Sequence, residues 1–291
     1  MTERGIAPPI QWFGGKSKWV GWLLPLVPEH AVYVEPFGGA AALLFAKPPA
    51  PLEVYNDIDS GLVNLYRVLR DPEKFERFLR LAALTPYSRE ECDYLSRTWD
   101  ESQDDVERAW GFFVVARMSF AGSFGHGWSN SVTHSRRGMA GAVSRYLSAI
   151  ERLPEVHERL KRVQIEHGDF RHVIEAYDSE ETFFYVDPPY IHATRGGVRY
   201  RYEMTDDDHR DLVELLLGIK GKAMLSGYQH PVYEPLEAAG WQRVDRDVAC
   251  WSVGRTRITG LLGPGATSEE HRRVESVWMN YTKEPTLWDA S

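Results

Sequence analysis

The stretch Thr182-Phe183-Phe184-Tyr185-Val186-Asp187-Pro188-Pro189-Tyr190 decides the fold, because it predicts a buried strand that stops abruptly at a polar corner. The apolar run before Asp187 is too short for a helix. Pro188 and Pro189 hold φ at about −65° and offer no backbone N–H, and the chain before them is kept extended. Open α/β sheets bind their ligands at the carboxyl ends of such strands.

The corner itself offers two hydrogen-bond acceptors beside an aromatic ring. Asp187 accepts through its carboxylate, the carbonyl of Pro188 has no regular partner, and Tyr190 supplies a flat face. Convergent acceptors next to a ring suit a planar amine, such as the exocyclic amine of a nucleobase. A plain turn after a core strand explains these four residues equally well, so the motif alone does not decide between the two.

Composition excludes several classes of protein. The chain has 291 residues, of which 43% are hydrophobic and 26% charged, which indicates a packed core in one large domain or a domain with an insertion. A net charge of −8 excludes a globally basic nucleic-acid binder but leaves room for a local basic patch. Cys92 and Cys250 belong to no Cys/His cluster, so neither a disulfide scaffold nor a zinc site is expected. With no signal or membrane segment, we expect a cytoplasmic protein.

A strand, a loop of small residues and a helix follow one another in the first quarter of the chain. Residues 31–36 form the predicted strand, Phe37-Gly38-Gly39-Ala40-Ala41 the loop and 41–46 the start of the helix, as at the nucleotide entry of a doubly wound sheet. Glu35 at the strand end favours a cationic or hydroxyl-bearing ligand. Asp57 follows a second strand about 20 residues later, where an acid reaches a ribose diol. Asp57 also suits an N-cap of the helix predicted over 60–70.

Gly14-Gly15-Lys16-Ser17 resembles a phosphate-binding loop only superficially. No glycine stands at the required upstream position and no apolar strand precedes the segment. What remains is a cationic loop flanked by aromatic residues, in which Lys16 either meets a carboxylate or lies on the surface.

Residues 71–162 differ in character from the rest. Helices are predicted from Asp71-Pro72 to a break at Pro86, over 107–118 and over 139–153, with a loop of Gly, aromatic and hydroxyl residues over 119–130. Positions 117–162 carry eight Arg or Lys against three Glu, a local cationic surface suited to phosphate contact and base stacking. A solvated helix face with an ordered loop is the simpler alternative.

The strand pattern resumes after residue 162. Strands are predicted over 163–166 and 222–228, with an edge hairpin near 241–249 and 274–280 that has Arg255 and Arg257 between its strands. Asp169-Phe170 follows the first of these strands and can contact an amine and a ring. Helices are predicted over 209–219, capped from Thr205, and near 233–239. The loop 191–203, rich in Gly and Arg, is expected over the site.

Together these residues resemble the Dam-type (D12 class, α group) DNA adenine N6-methyltransferases. Asp187-Pro188-Pro189-Tyr190 is similar to the catalytic motif, and Glu35-Pro36-Phe37-Gly38-Gly39-Ala40-Ala41 to the cofactor loop, with Ala41 in place of its last glycine. Trp12 with Gly14-Gly15-Lys16 resembles the motif at the methionine end of S-adenosylmethionine. Asn56-Asp57-Ile58-Asp59 resembles the ribose-binding segment, and Gly168-Asp169-Phe170 the adenine-binding one.

The resemblance implies a fold, a partner and a set of roles. The fold is a Rossmann-like α/β methyltransferase sheet formed by residues 1–70 and 163–291, with an inserted helical target-recognition domain over 71–162. The partners are S-adenosylmethionine and double-stranded DNA, with no metal, and we expect a monomer of bacterial or phage origin. Catalytic roles fall to Asp187, Pro188 and Tyr190. Cofactor contacts fall to Trp12, Lys16, Glu35, Phe37, Gly39, Asp57, Asp169 and Phe170. DNA contacts fall to Arg117, Phe120, Ser123, Trp128, Arg136, Arg137, Arg195 and Arg199.

The expected reaction is direct attack by a flipped adenine on the sulfonium methyl, with Asp187 and Pro188 gripping N6 and Tyr190 stacking on the base. The family's usual Asn-Gly pair is Ala121-Gly122 in this chain, so the resemblance does not imply the family's GATC preference. Methylation of cytosine N4 or of RNA, and a DNA-binding homologue without catalysis, remain alternatives. A protein-amide methyltransferase and a dinucleotide oxidoreductase fit the motifs less well.

Overall fold

A computed structural model describes residues 5–194, 200–249 and 272–282. Several residues singled out in the sequence lie outside these ranges, namely Arg195, Arg199, Cys250, Arg255 and Arg257.

The described chain alternates strands and helices at both ends and is mainly helical in the middle. The strands are β1 (Val32–Glu35), β2 (Leu52–Asn56), β3 (Ser135–Arg136), β4 (Met139–Ala140), β5 (Val163–Glu166), β6 (Thr182–Val186), β7 (Lys222–Tyr228), β8 (Gln242–Ala249) and β9 (Arg272–Met279). The helices are α1 (Val20–Leu23), α2 (Ala42–Ala46), α3 (Ser60–Arg70), α4 (Pro72–Leu84), α5 (Arg89–Thr98), α6 (Asp105–Met118), α7 (Gly141–Glu151), α8 (Leu153–Leu160), α9 (Phe170–Tyr177), α10 (Asp206–Gly218) and α11 (Glu234–Ala238).

One seven-stranded sheet organises the molecule, in the order β5-β2-β1-β6-β7-β9-β8. The five strands from β5 to β7 are parallel, and β9 runs antiparallel to both β7 and β8. The predicted Rossmann-like fold and the edge hairpin are confirmed. The carboxyl ends of β1, β2, β5 and β6 therefore meet along one edge of the sheet.

The middle of the chain departs from the predicted helix over 139–153. Arg137 at φ 57° and Gly138 at φ 75° form a tight turn between β3 and β4, so Met139 and Ala140 are extended and α7 begins at Gly141. A new helix starts at Leu153 with Pro154 in its first turn, where the missing N–H of proline costs no hydrogen bond. The helix predicted over 139–153 was therefore wrong at its start, where a hairpin lies, and at its end, where a second helix begins.

Helix caps explain two further boundaries. The N-cap of α3 is Asp59, whose carboxylate accepts from the N–H of Gly61, so the interpretation of Asp57 as that cap was wrong. The α10 helix begins at Asp206, earlier than predicted, because Thr205 and Asp208 form a capping box.

The sheet is covered by apolar side chains on both faces. One face packs with α2, α3 and the helices of the middle region, around residues such as Phe45, Tyr66 and Phe112. The other packs with α9, α10 and α11, around Phe184, Leu212 and Trp278. Among the described residues, no helix is long and apolar enough to cross a membrane.

The contact between α3 and α6 is especially close. A Cβ added to Gly61 would lie 2.5 Å from the ring of Phe112 and 2.9 Å from the ring of Trp99, and Phe112 is fully buried. The absence of a side chain at position 61 is thus what lets the middle helices approach the sheet.

We predict that Gly61→Ala lowers the free energy of unfolding by about 1–3 kcal/mol, because an extra methyl group is forced into a filled core. Thermal unfolding followed by circular dichroism measures the effect. Gly218→Ala is the matched control, since its Cβ would meet open space at the end of α10. Equal melting temperatures for the two variants would contradict the packing argument.

Candidate active site

A deep cleft lies at the carboxyl ends of β1, β2, β5 and β6. It collects residues from each motif found in the sequence. Its lining includes Trp12, Lys16, Glu35, Phe37, Gly39, Asp57, Asp169, Phe170, Asp187 and Pro188. The structure therefore brings every predicted cofactor residue, and two of the three predicted catalytic residues, to one place.

Asn56 at the end of β2 holds the loops on either side of it. Its side-chain amide donates to the carbonyls of Pro36 at 2.8 Å and Gly168 at 3.0 Å, and its Oδ1 accepts from the N–H of Gly168. Because Asn56 is buried, these bonds fix the positions of the loops that carry Phe37 and Asp169.

Asp57 is hydrogen-bonded to the loop that follows β1. Its carboxylate accepts from the N–H of Gly39 and from the N–H of Asp59, each at 2.8 Å. Burial raises the pKa of Asp57 to about 6, although these backbone bonds oppose the rise. The loop itself needs left-handed backbone, with Gly39 at φ 49° and Ala41 at φ 54°. For a non-glycine residue such as Ala41, that conformation costs about 1–2 kcal/mol.

Glu35 faces the same cleft from the end of β1. It is buried, and its Oε1 accepts from the hydroxyl of Tyr33 at 2.6 Å and the N–H of Leu44 at 2.9 Å. Burial raises the pKa of Glu35 to about 8 despite these two bonds, and the nearby Asp187 raises it further.

Aromatic and apolar groups form the other side of the cleft. The rings of Phe37 and Phe170 lie 5.0 Å apart, and the half-exposed Ile58 lies at the same lip. Asp169 caps α9 by accepting from the N–H of Arg171, whose guanidinium pairs with Asp169 and covers the ring of Phe170 at 4.4 Å. An apolar slot with an acid at its rim suits a heteroaromatic ring that carries an amine.

Asp187 does not stand free at the corner after β6. Lys16 Nζ donates to its Oδ1 at 2.7 Å and to the carbonyl of Gly14 at 3.1 Å. Burial raises the pKa of Asp187 to about 6, and the charge of Lys16 holds it back from rising further. Of the two interpretations of Lys16, a carboxylate partner or a surface position, the first is confirmed.

Tyr190 lies behind the cleft and is only 5% exposed. Lys16 Nζ sits 4.6 Å over its ring, the ring of Tyr228 packs at an angle of 76°, and its hydroxyl donates to Glu275. The sequence analysis did not single out Glu275. A glutamate inside the apolar run of β9 is the signal that could have found it, because isolated carboxylates are seldom buried without a partner.

Arg201 is a second residue whose place at the cleft is evident only from the structure. Its guanidinium pairs with Asp59 at 2.9 Å and lies over the rings of Trp99 and Phe124, at 5.0 and 4.9 Å. Trp12 packs on Phe124 as well. The lip of the cleft and the helical middle region therefore share one aromatic cluster.

The predicted DNA-contacting residues of the loop 119–130 lie close together. Phe120 is 64% exposed, Ser123 is half-buried, and Trp128 packs against Tyr87 beneath the guanidinium of Arg89. The first residue of this loop anchors it to the core, because Ser119 is fully buried and its hydroxyl accepts a hydrogen bond from the N–H of Gly125.

The predicted arginines differ in their surroundings. Arg117 is turned into the helix packing, donates to the carbonyl of Arg145 at 2.7 Å, and has its pKa lowered to about 10 by burial and then by Arg145. Arg137 pairs with Glu151 at 2.9 Å, whereas Arg136 is exposed on β3. The exposed position of Arg136 suits contact with a phosphate, and the packed position of Arg117 does not.

Comparison with known families identifies this arrangement. The family model described as D12 class N6 adenine-specific DNA methyltransferase matches residues 12–243, which include every residue that lines the cleft. The chain belongs to this family.

Individual members are similar over most of their length. The type II methyltransferase M1.LlaDCHI of Lactococcus lactis subsp. cremoris is 30% identical over 295 residues, covering 95% of this chain and 96% of the relative. The type II methyltransferase M.MjaIII of Methanocaldococcus jannaschii is 25% identical over 230 residues, covering 70% and 76%. M.CviBI of Paramecium bursaria Chlorella virus NC1A, also a type II methyltransferase, is 25% identical over 192 residues, covering 64% and 69%.

Membership confirms the resemblance deduced from the motifs and makes the protein a D12 class adenine-specific DNA methyltransferase, which uses a methyl donor and a DNA substrate. Within the ranges that the structure describes, no three His, Cys, Asp or Glu side chains are grouped to hold a metal ion.

The raised pKa of Glu35 predicts how the stability of this D12 methyltransferase depends on pH. The carboxyl is protonated in the folded protein up to about pH 8 but ionised in the unfolded chain above its ordinary value of 4.5. Between these values, the unfolded state binds fewer protons, so rising pH destabilises the wild type. Glu35→Gln keeps the shape and does not titrate.

We expect the unfolding free energy of wild type relative to Glu35→Gln to fall by up to about 1.4 kcal/mol per pH unit across this window. Thermal unfolding at half-unit steps of pH checks this, and the difference should level off above pH 8. Other titrating groups are shared by both proteins and cancel. A difference that is independent of pH would show that Glu35 is ionised throughout.

Proposed function

We propose that this D12 methyltransferase transfers a methyl group from S-adenosylmethionine to N6 of an adenine flipped out of duplex DNA. The observation that carries the proposal is that Asp187 and Pro188 line the same cleft as Glu35, Asp57 and Asp169. A site for a planar amine and a site for a nucleoside-bearing cation thus adjoin.

The chemistry of the cleft fits this donor. The carboxylates of Asp57, Asp169 and Asp187 border it, which favours a ligand with cationic sulfonium and ammonium groups. We assign Asp57 to the ribose hydroxyls, the slot of Phe37, Ile58 and Phe170 to the adenine ring, and Glu35 to the methionine end, because all of these residues line the cleft. When bound, S-adenosylmethionine supplies an electrophilic methyl group that an amine can attack directly.

The protein's main contribution to the reaction is alignment. A base inside the duplex cannot reach the cleft, so it must rotate out of the stack. Asp187 and the Pro188 carbonyl would each accept one N6 hydrogen, which turns the nitrogen lone pair away from the ring and toward the methyl group. The two prolines keep the acceptors fixed, because neither can rotate about φ.

Asp187 is also suited to receive the proton that N6 loses on methylation. Its pKa of about 6 makes it a stronger base than an ordinary aspartate, while leaving it ionised at neutral pH. We therefore assign it two tasks, orientation of the amine and temporary acceptance of one proton.

The helical region 71–162 would recognise the duplex. Phe120 presents an exposed ring, Gly122 of the same loop lies against the backbone of Trp12 in the cleft lining, and Arg136 presents an exposed charge on the β3–β4 hairpin. We propose that the loop 119–128 contacts the bases around the target and that the hairpin contacts phosphates, with Arg195 and Arg199 as further contacts.

The relatives indicate a biological setting. Since M1.LlaDCHI and M.MjaIII are type II methyltransferases, we propose that this protein protects DNA as part of a restriction–modification system. It would act in the cytoplasm, where DNA and the methyl donor are present, as a monomer of bacterial or phage origin.

We predict that Asp187→Ala slows methyl transfer by about 100-fold or more, because the amine loses its oriented acceptor and proton acceptor. The fold should persist, since Glu275 still neutralises Lys16 at 3.6 Å. The measurement is transfer to adenine-unmethylated plasmid DNA followed by mass spectrometry of the nucleosides, with S-adenosylmethionine affinity from calorimetry.

Asp247→Asn, an exposed carboxylate-to-amide change on β8, serves as the control. Wild-type turnover by Asp187→Ala would overturn the assignment of Asp187. N4-methylcytosine as the product of the wild type would move the target to cytosine, and absence of cofactor binding by the wild type would favour a non-catalytic role.

The role of Arg136 can be tested by the salt dependence of DNA binding. Arg136→Ala should reduce the slope of log affinity against log salt by about 1, because one phosphate contact is lost. Arg210→Ala, an exposed arginine on α10, should leave the slope unchanged. Equal slopes for wild type and Arg136→Ala would remove the β3–β4 hairpin from the proposed interface.

A further inference from the structure

Lys16 occupies the place that the target amine needs. Its Nζ is 2.7 Å from Asp187 Oδ1 and 4.6 Å over the ring of Tyr190. The acceptor and the stacking face assigned to the base are therefore covered by one ammonium group. A base that uses both features has to displace Lys16.

Displacing Lys16 has a physical constraint, because its side chain is only 5% exposed. A buried ammonium separated from its counter-ion costs several kcal/mol. Among the described residues, two carboxylates lie within 4 Å of Lys16 Nζ, those of Asp187 and Glu275. An ammonium that leaves Asp187 thus has one nearby destination.

Glu275 is a buried residue of the sheet that lies close to Lys16. It lies on β9 opposite Tyr228, is 4% exposed, and its Oε1 is 3.6 Å from Lys16 Nζ. The same oxygen accepts a hydrogen bond from the hydroxyl of Tyr190. Lys16, Asp187 and Glu275 form a cluster of one ammonium and two carboxylates with a formal charge of −1. Because negative charge is in excess, the cluster can accept a hydrogen bond from a further donor group.

We propose that Glu275 is a positioning residue that retains Lys16 when the target amine displaces it from Asp187, while holding Tyr190 through its hydroxyl. The inference rests on the proposed function, in which Asp187 grips N6. Lys16 acts as a placeholder for the amine: it neutralises Asp187 while the site is empty and shifts to Glu275 when the base enters. No covalent bond changes in this step.

The electrostatics of the cluster agree with a shared cation. Burial would lower the pKa of Lys16, but Asp187 and then Glu275 raise it above its ordinary value, so it stays charged. The two neighbours have opposite effects on the pKa of Asp187: Lys16 lowers it and Glu275 raises it. The titratable groups that face Asp187 are Lys16, Glu35, Tyr185, Tyr190, Tyr233 and Glu275.

A double-mutant cycle tests the transfer of Lys16. Glu275→Gln should slow single-turnover methylation of plasmid DNA at pH 8 by about 10-fold or more, with cofactor affinity changed less than about two-fold, since the neutral amide cannot neutralise the buried ammonium. In a Lys16→Met background, the same change should cost less than about three-fold, because no ammonium remains to be retained. Glu275→Asp should recover part of the rate.

Equal costs of Glu275→Gln in both backgrounds would overturn the inference, as would a parallel loss of cofactor binding, because a merely structural role predicts both. Asp247→Asn should leave all rates at the wild-type level.

A titration of the free protein separates this inference from the proposed function. Carboxyl carbon NMR with labelled aspartate, with the Asp187 signal assigned through Asp187→Asn, reports the pKa of Asp187 without any substrate. Removing the charge of Glu275 should move this pKa below about 6, because the neighbouring carboxylate raises it. An unchanged or raised pKa in Glu275→Gln overturns the shared-cation cluster whatever the activity. A wild type that methylates no adenine overturns the proposed function, and the titration still decides the cluster.

Discussion

The buried ion pair between Lys16 and Asp187 joins parts of the chain that are far apart in sequence. Asp187 is placed by the central strand β6, and Lys16 by a short loop near the amino terminus. Once Lys16 is fixed, Trp12 is held over the cleft, where it packs on Phe112 and Phe124 of the helical region. The sheet, the loop after β1 and the helices of the middle region therefore meet around one desolvated charge pair, whose partners cannot separate without another counter-ion.

Charge is distributed unevenly, and the distribution follows the fold. The ends of the parallel strands carry acids, which face inward and are kept there by burial and backbone bonds, as for Glu35 and Asp57. Among the basic residues of 117–162, Arg117 and Arg159 pack inward, whereas Arg136 and Arg137 are exposed on a hairpin outside the sheet. A chain of net charge −8 can thus offer a cationic surface to a polyanion and an acidic cleft to a cationic donor.

Much of this arrangement could be predicted from the sequence, because the apolar residues of β1, β2 and β6 lead directly into a polar residue, namely Glu35, Asn56 and Asp187. The strands around Asp57, Asp169 and Asp187 and their common edge followed from that pattern. Side-chain partners did not follow. Asp57 and Asp59 both suit a helix cap, and only three-dimensional placement shows that Asp59 fills the role. The packing of Arg117 against the carbonyl of Arg145 in α7, and the β3–β4 hairpin that delays the start of α7 to Gly141, depend on tertiary contacts that no local pattern encodes.

The position of β9 inside the sheet affects the order in which the protein can be completed on the ribosome. The strand is the last in the described chain, yet it pairs with β7 on one side and β8 on the other. Until residues 272–279 have left the exit tunnel, β7 presents an unpaired edge, which is a site for association with other nascent chains. Translation that stops short of β9 would yield a polypeptide with all the recognisable motifs but with an open sheet. Such products are expected to need chaperones or rapid degradation.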